Sequence, residues 1–176
     1  MNPSLVGSEM CIRDSVKITG RIKELYVSSG GKNIAPLVIE ETMKSIPMVS
    51  QCMLIGDGRK YCSALFTLDI GAILRDKHGM DPAKIPKDPA VQITTLEGFG
   101  KTVSDYTDSE EIFNEMQAEV TRLNGQFSNP EQIKKFTILP RDLNVDFGEL
   151  TPTLKIRRIQ IRENWSAEIE AMYEGA

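Results

Sequence analysis

The stretch VSQCMLIGDGRKYCSALFTL, at residues 49–68, decides the fold class. Two apolar runs, Val49–Gly56 and Tyr61–Leu68, flank the polar tip Asp57–Lys60. An Asp-Gly pair between two such runs favours a tight turn, because glycine reaches the positive φ that short hairpin loops require. This pattern predicts a β-hairpin.

Helical patterns lie on both sides of this hairpin. On the N-terminal side, Pro36 opens an amphipathic segment that Pro47 ends. On the C-terminal side, Ile70–Lys77 is a short helical stretch, Ser109–Asn124 is a longer one with a serine cap, and Arg158–Tyr173 is a closing helix. The apolar stripe of the longer helix is predicted to face the core, and it comprises Ile112, Phe113, Met116 and Val120.

Short apolar runs predict further strands at Val16–Ile18, Leu25–Val27 and Ile133–Leu139. Strands and helices of this size indicate an α+β domain, in which small β-sheets pack with helices. Residues 78–108 are rich in Pro, Gly, Asp and Thr, and they predict an irregular insertion at about 70–108.

Residues 1–15, MNPSLVGSEMCIRDS, have neither helical nor strand periodicity and join the patterned segment abruptly at Val16. They resemble translated adapter read-through in an assembled transcript. We therefore expect residues 1–15 to be a non-native leader and residues 16–176 to be one domain.

Composition excludes several classes of protein. The net charge of −4 argues against nucleic acid as the main partner, and no apolar run reaches the ~18 residues of a transmembrane segment. The cysteines Cys11, Cys52 and Cys62 form no CxxC pair, and His78 is the single histidine. This spacing argues against a metal site or a disulfide framework.

Two motifs carry candidate chemistry. The first is ITGRIKE at residues 18–24, followed by GGKNIAP at residues 30–36 and by Ile39-Glu40. Its Arg21 offers planar donors that suit phosphate or ribose oxygens, and its glycines let a narrow ligand approach the backbone. The second is GELTPTLKIRR at residues 148–158, a proline-bearing loop that presents Lys155 before a basic helix start.

These two motifs, in this order and roughly 130 residues apart, resemble the start and the end of the C-terminal domain of adenylate-forming enzymes. The resemblance covers about residues 16–173. It implies the mobile C-terminal domain of that superfamily. The form LTPTLKIRR and the insertion before it are similar to the long-chain fatty acyl-CoA synthetases, and MLIGD at residues 53–57 is similar to their bubblegum-type members.

The resemblance implies a two-step reaction and a role for each motif residue. A fatty acid carboxylate attacks ATP to give acyl-adenylate and pyrophosphate, and the thiol of coenzyme A then attacks the acyl carbonyl. Lys155 would bridge the carboxylate and the α-phosphate, Arg21 would bind the nucleotide, and Lys23 would be the hinge. The passage for coenzyme A would be lined by Gly30, Gly31 and Lys32.

The resemblance also implies partners outside this chain. ATP and coenzyme A are substrates, Mg²⁺ is expected for the intact enzyme but not bound by this chain, and the missing N-terminal AMP-binding domain carries the phosphate loop and the fatty-acid tunnel. The expected location is cytoplasmic, with peripheral contact to the endoplasmic reticulum or another membrane left open. The isolated chain is predicted to be inactive.

Two alternatives remain from the sequence. The chain could be the C-terminal domain of another adenylate-forming ligase, such as an aromatic-acid CoA ligase or a luciferase relative, or a natural stand-alone module that binds coenzyme A or a synthetase. Three features have simpler interpretations: Arg157 and Arg158 as a helix-surface pair, Trp165 as a packing anchor, and Asp57–Lys60 as a hairpin tip.

Overall fold

The computed structural model describes residues 8–11, 15–18, 25–85 and 103–174. Within these ranges the strands are β1 (Ser8–Cys11), β2 (Ser15–Ile18), β3 (Tyr26–Val27), β4 (Asn33–Ile34), β5 (Val49–Ile55), β6 (Cys62–Leu68) and β7 (Ile133–Ile138). The helices are α1 (Pro36–Met43), α2 (Ile70–His78), α3 (Val103–Thr107), α4 (Glu110–Asn124), α5 (Arg158–Asn164) and α6 (Ser166–Tyr173). Single 3₁₀ turns occupy Pro82–Lys84 and Asn129–Glu131.

The central sheet has the strand order β5-β6-β7. Strands β5 and β6 are antiparallel, with Leu54 opposite Ala64, which confirms the predicted hairpin. Strand β7 runs parallel to β6 and places Phe136 opposite Ala64. A parallel neighbour needs a long crossover, and α2, α3 and α4 lie within that connection.

Both faces of this sheet are buried, so the domain has three layers. Cys52 and Leu54 of β5 belong to the core cluster that also contains residues of α1, α2 and α4. Met53 and Ile55 point to the opposite face, where they join residues of α5 and α6. All of β6 is buried, as expected for a central strand that is covered on both faces. The predicted α+β class is confirmed.

Helix α1 begins at Pro36, where proline costs no intrahelical hydrogen bond. It ends at Met43, short of the predicted stop at Pro47, and the backbone N–H of Lys44 closes its last turn. Its buried side includes Ile39 and Glu40. A carboxylate on the buried side of a helix needs partners, and these partners organise the candidate site described below.

Helix α4 confirms the predicted cap but not the whole predicted stripe. The Ser109 hydroxyl accepts a hydrogen bond from the backbone N–H of Ile112 at 3.4 Å. Ile112, Met116 and Val120 are buried. Phe113 is 41% exposed, so its prediction as a core residue is wrong. It lies about 100° around the helix from Ile112 and stacks on Phe136, with ring centroids 4.9 Å apart.

The predicted closing helix is interrupted at Trp165. This residue has φ −116° and ψ 29°, outside helical geometry, and it separates α5 from α6. The indole is buried, and its Nε1–H donates to the carboxylate of Glu149 at 2.8 Å. The interruption of the helix thus coincides with a buried hydrogen bond of the indole.

Strands β1 and β2 form a small antiparallel hairpin in which Ser8 lies opposite Ile18. The predicted boundary between residues 1–15 and 16–176 falls within this hairpin, and it stays a prediction. At the two ends of the predicted irregular insertion, the structure has helix α2 and the short helix α3. Residues 86–102 lie outside the described ranges.

We predict unequal effects for two Phe→Ala substitutions, because the two rings differ in burial. Phe66→Ala should lower the free energy of unfolding by about 3–5 kcal/mol, since it empties a fully buried position of β6. Phe113→Ala should cost only about 1 kcal/mol, as its ring is partly exposed and loses mainly one aromatic contact. Urea titration of both variants measures the difference. Equal losses would contradict the assignment of Phe113 to the surface.

Candidate functional site

The loop that presents Lys155 is closed on itself by backbone hydrogen bonds. Leu150 and Ile156 form an antiparallel bridge at its base. Within it, the Thr151 N–H donates to the Lys155 carbonyl at 2.9 Å, and the Lys155 N–H donates to the Thr151 hydroxyl at 3.0 Å. Leu154, at the tip, has a positive φ of 59°, which a leucine adopts only where its surroundings hold it.

The carboxylate of Glu149 anchors the first end of this loop. Its side chain is fully buried and accepts hydrogen bonds from both terminal nitrogens of Arg141, each at 2.7 Å. Further donors are the Trp165 indole at 2.8 Å, the Asn144 backbone N–H at 3.1 Å and the Asn164 amide at 3.1 Å.

These donors determine the charge state of Glu149. Burial favours the neutral acid, but the hydrogen bonds from Arg141, Asn164 and the Asn144 backbone outweigh it. The pKa of Glu149 is therefore lowered, and the group is a carboxylate at neutral pH. Arg141 also lies over the Phe147 ring at 4.1 Å and over the Trp165 ring at 4.9 Å, so its guanidinium is held from both sides.

A second ion pair, again to a buried carboxylate, anchors the other end of the loop. Arg158, the first residue of α5, donates from Nη1 and Nη2 to the two carboxylate oxygens of Glu40, at 2.5 and 2.6 Å. Burial opposes the charge on Arg158, but the Glu40 carboxylate outweighs it and raises the pKa of the guanidinium above its usual value. The prediction of Arg158 as a surface residue paired with Arg157 is wrong, since only Arg157 is exposed.

Between these anchors, Lys155 borders an open groove of about 500 Å³ against helix α1. The groove is lined by Leu37, Glu40, Glu41, Lys44, Leu154, Lys155, Ile156 and Arg158. Glu40 pairs with Arg158, and Glu41 pairs with Lys44 at 3.6 Å. Among the lining residues, the charge left without a counterion is that of the exposed Lys155. The groove therefore suits an anionic ligand.

The glycine loop lies between β3 and β4. The Gly31 N–H donates to the Ser28 carbonyl at 2.8 Å, and the Ser28 N–H donates to the Lys32 carbonyl at 3.0 Å. Gly31 has φ +75°, which glycine adopts without strain. A Cβ on Gly30 would meet only the Ser28 hydroxyl, at 3.8 Å, and Lys32 is exposed. The backbone here is open to close approach by a ligand.

The tip of the β5–β6 hairpin packs against this glycine loop. The Ser29 N–H donates to the Arg59 carbonyl at 3.2 Å, and the Gly58 N–H donates to the Val27 carbonyl at 2.9 Å. Asp57 accepts from the Val27 N–H at 3.2 Å. The sequence predicted no role for Asp57–Lys60 beyond that of a hairpin tip. In the structure this segment also supports the glycine loop.

The structure describes part of the predicted site. It places Lys155 on an exposed loop and Gly30, Gly31 and Lys32 on the glycine loop, whereas Arg21 and Lys23 lie outside the described residues. Sequence reasoning assigned no roles to the residues that hold these loops: Tyr26, Glu40, Arg141 and Glu149. Glu40 and Glu149 lie inside the two motifs, and this position was the sequence signal that could have indicated a structural role for them.

The described ranges contain neither a metal-binding cluster nor a helix that could span a membrane. In residues 8–11, 15–18, 25–85 and 103–174, no group of three His, Cys, Asp or Glu side chains could hold a metal ion. Over the same ranges, every helix is too short or too polar to cross a membrane.

Comparison with known proteins places these features in a class. The family model for the AMP-binding enzyme C-terminal domain matches residues 23–81. The adenylation domain of a carboxylate reductase from Mycobacterium chelonae superposes with a TM-score of 0.63 at 18% identity, over 91% of this chain and 21% of that one. The A domain of a carboxylic acid reductase from Segniliparus rugosus, in complex with AMP and a carboxylic acid, superposes with a TM-score of 0.63 at 16% identity. That superposition covers 91% of this chain and 21% of the other.

Residues 23–81 therefore match the C-terminal domain of AMP-binding enzymes, and the sequence relatives of the whole chain agree with that match. The curated homologues of this chain are long-chain-fatty-acid–CoA ligases: FadD15 of Mycobacterium tuberculosis, 36% identical over 156 residues, and ACSBG1 of Mus musculus, 35% identical over 162 residues. The alignments cover 89% of this chain but 24% and 22% of those proteins. The chain thus spans about a quarter of the length of the relatives it matches.

We predict that Glu149→Gln lowers the free energy of unfolding at pH 7 by about 2–4 kcal/mol, since it leaves the partly buried Arg141 without its counter-charge. Because the pKa of Glu149 is lowered in the folded state, this stabilisation is present above the ordinary value of 4.5 and is lost as the pH falls through the lowered pKa. Urea titrations from pH 7 to pH 3 should show the wild type and the variant converging.

The matched control for this substitution is Glu170→Gln. Glu170 also pairs with an arginine, Arg59, but on the surface, where ion pairs contribute little. The control should unfold like the wild type at every pH. A gap between the Glu149→Gln variant and the wild type that stays constant down to pH 3 would contradict a charged Glu149.

Proposed function

We propose that this chain supplies the C-terminal domain of a long-chain fatty acid–CoA ligase, which converts ATP, a fatty acid and coenzyme A into acyl-CoA, AMP and pyrophosphate. Lys155 would act in the first half-reaction. The observation that carries this proposal is the exposed Lys155, which has no ion-pair partner among the described residues and lies on a loop whose two ends are held by ion pairs to buried carboxylates. The homology to long-chain-fatty-acid–CoA ligases supports the choice of substrate.

The chemistry of the first half-reaction suits such a lysine. When a carboxylate attacks the α-phosphate of ATP, negative charge gathers on the reacting oxygens. A compact ammonium on a long, flexible stem can reach these oxygens and stabilise them. Because the loop is anchored at Glu149 and Arg158, the base of that stem is held in place before the substrates arrive, which lowers the entropic cost of the step.

The other motif residues complete the proposal. Gly30, Gly31 and Lys32 would line the passage for coenzyme A in the second half-reaction, which the open backbone around Gly30 supports. Arg21 would bind the nucleotide and Lys23 would be the hinge of the domain. These two roles rest on the resemblance of the motif, since neither residue is among those described.

The remaining contacts to substrate would come from an N-terminal AMP-binding domain. The described residues fit no Mg²⁺ site, because the two buried carboxylates, Glu40 and Glu149, are already engaged by arginines. Any Mg²⁺ of the intact enzyme would therefore accompany ATP on the other domain. We assign the intact enzyme to the cytoplasm, with any contact to the endoplasmic reticulum or another membrane being peripheral.

A chimera tests the role of Lys155. Residues 16–176 would replace the C-terminal part of the FadD15 ligase, and ATP–pyrophosphate exchange with palmitate would report the first half-reaction. We expect Lys155→Gln to lower the exchange rate by about 10²–10³-fold, the usual effect of removing one group that stabilises transition-state charge.

The control variant of the chimera is Lys44→Gln. Lys44 lines the same groove but is paired with Glu41, so its loss should leave the exchange rate within about twofold of the parent, as for an ordinary surface charge. Equal losses in the two variants would indicate a general effect of groove charge. An active Lys155→Gln chimera would refute the proposed role.

The 176-residue chain alone should show no ATP–pyrophosphate exchange above the blank with palmitate. One ammonium contributes only part of the charge stabilisation that this transition state requires, and the proposal assigns the phosphate loop and the fatty-acid tunnel to another domain. Exchange above the blank from a preparation that loses it on Lys155→Gln substitution would contradict this expectation.

A further inference from the structure

Strand β5 forms one edge of the central sheet, and side chains satisfy the backbone of Leu54 on that edge. The Leu54 N–H donates to the Glu40 carboxylate at 2.7 Å. The Leu54 carbonyl accepts from the Tyr26 hydroxyl at 3.0 Å. Both bonds are buried, so losing either one would leave an unsatisfied polar group in the core.

Arg158 binds both side chains that satisfy the Leu54 backbone, Glu40 and Tyr26. In addition to its two bonds to Glu40, its Nη1 donates to the Tyr26 hydroxyl at 3.2 Å. The guanidinium lies over the Tyr26 ring at 5.8 Å, and Arg162 lies over the same ring at 5.6 Å. Burial raises the pKa of Tyr26, although Arg158 and Arg162 oppose this effect, so the hydroxyl is protonated and able to donate at neutral pH.

Tyr26, Glu40 and Arg158 each lie in or beside a segment to which the proposed function gives a role. Tyr26 lies two residues before the glycine loop, Glu40 lies on α1 in the wall of the groove, and Arg158 lies three residues after Lys155. A displacement of either loop at its base would strain the same buried carboxylate. An unpaired Glu40 would cost several kcal/mol, so the two loops keep one arrangement.

We propose that Tyr26 and Glu40 are positioning residues that couple the glycine loop to the Lys155 loop. Through Arg158 they make the two loops one mechanical unit, although Tyr26 and Arg158 are 132 positions apart in sequence. The catalytic meaning of this coupling rests on the proposed function, because it would fix the passage for coenzyme A relative to the adenylation lysine. The coupling itself depends only on the contacts described above.

Amide hydrogen exchange on the 176-residue chain tests the coupling without any activity. The reporters on the Lys155 loop are the amides of Leu154 and Arg157, which donate to the carbonyls of Thr151 and Glu149. The reporter on the glycine loop is the amide of Gly31. Amides in the interior of α4 report global unfolding.

The first variant is Tyr26→Phe, which removes the hydroxyl and keeps the ring. We expect exchange to accelerate about three- to tenfold at Gly31 and also at Leu154 and Arg157, as follows from the loss of one hydrogen bond. The matched control is Tyr61→Phe. The Tyr61 hydroxyl likewise donates to a carbonyl, that of Met172 at 2.7 Å. Removing this hydroxyl should leave exchange at the three reporters unchanged.

The second variant, Glu40→Gln, keeps an acceptor for the Leu54 N–H and removes the charge that holds Arg158. Exchange should accelerate more than tenfold on both loops. If this variant does not fold, Tyr26→Phe carries the test alone. Acceleration at Gly31 without any at Leu154 and Arg157 would overturn the coupling, as would equal acceleration of the three reporters in the Tyr61→Phe control.

The outcomes separate the coupling from the proposed function. Coupled exchange in the chain, together with an active Lys155→Gln chimera, would refute the role of Lys155 and leave the coupling intact. Uncoupled exchange, together with an inactive Lys155→Gln chimera, would leave Lys155 as the adenylation residue and refute only the roles of Tyr26 and Glu40.

Discussion

The buried carboxylate of Glu40 is the constraint around which the domain is arranged. A charge in a protein interior persists only where donors replace its lost water, and Glu40 obtains them from β5 and from the first residue of α5. These bonds hold α1 against the edge strand β5 and hold the start of α5 beside both. An apolar residue at this position could pack as well, but it would leave the Leu54 N–H and the Arg158 guanidinium without partners.

Glu149 repeats this arrangement on the opposite face of the sheet. There, the carboxylate accepts hydrogen bonds from Arg141, Asn164 and the indole of Trp165, and the helix is interrupted at Trp165. The Lys155 loop therefore runs between two fixed charges of the same sign. Because both are neutralised locally, they bring little negative potential to the ammonium, and Lys155 remains available to an external anion. Rigid ends with an exposed, unpaired middle suit a group that must meet a substrate in one geometry.

Sequence patterns predicted the elements whose signal is local. The hairpin over residues 49–68 and the helix capped by Ser109 follow from alternation, turn chemistry and capping, which act over a few positions. The break at Trp165 and the partial burial of Arg158 could not be predicted in this way, because the partners of these two residues, Glu149 and Glu40, lie 16 and 118 positions away. For the site, the motifs identified Lys155 and the glycine loop. They did not identify the side chains that hold them, since a Glu or Tyr inside a motif has no signature of burial.

The parallel pairing of β7 with β6 has a consequence for how this chain reaches its native state. The β5–β6 hairpin needs only local contacts and can form early, whereas β7 must return across the whole α2–α4 connection before it pairs. Glu40 must wait longer still, until Arg158 has been synthesised. During translation, a nascent domain that has already folded α1 against β5 holds an uncompensated acidic group at the sheet edge. Completion of the fold is thus linked to synthesis of the segment that carries Arg158, and chains that stop before it would be exposed to chaperones and proteases.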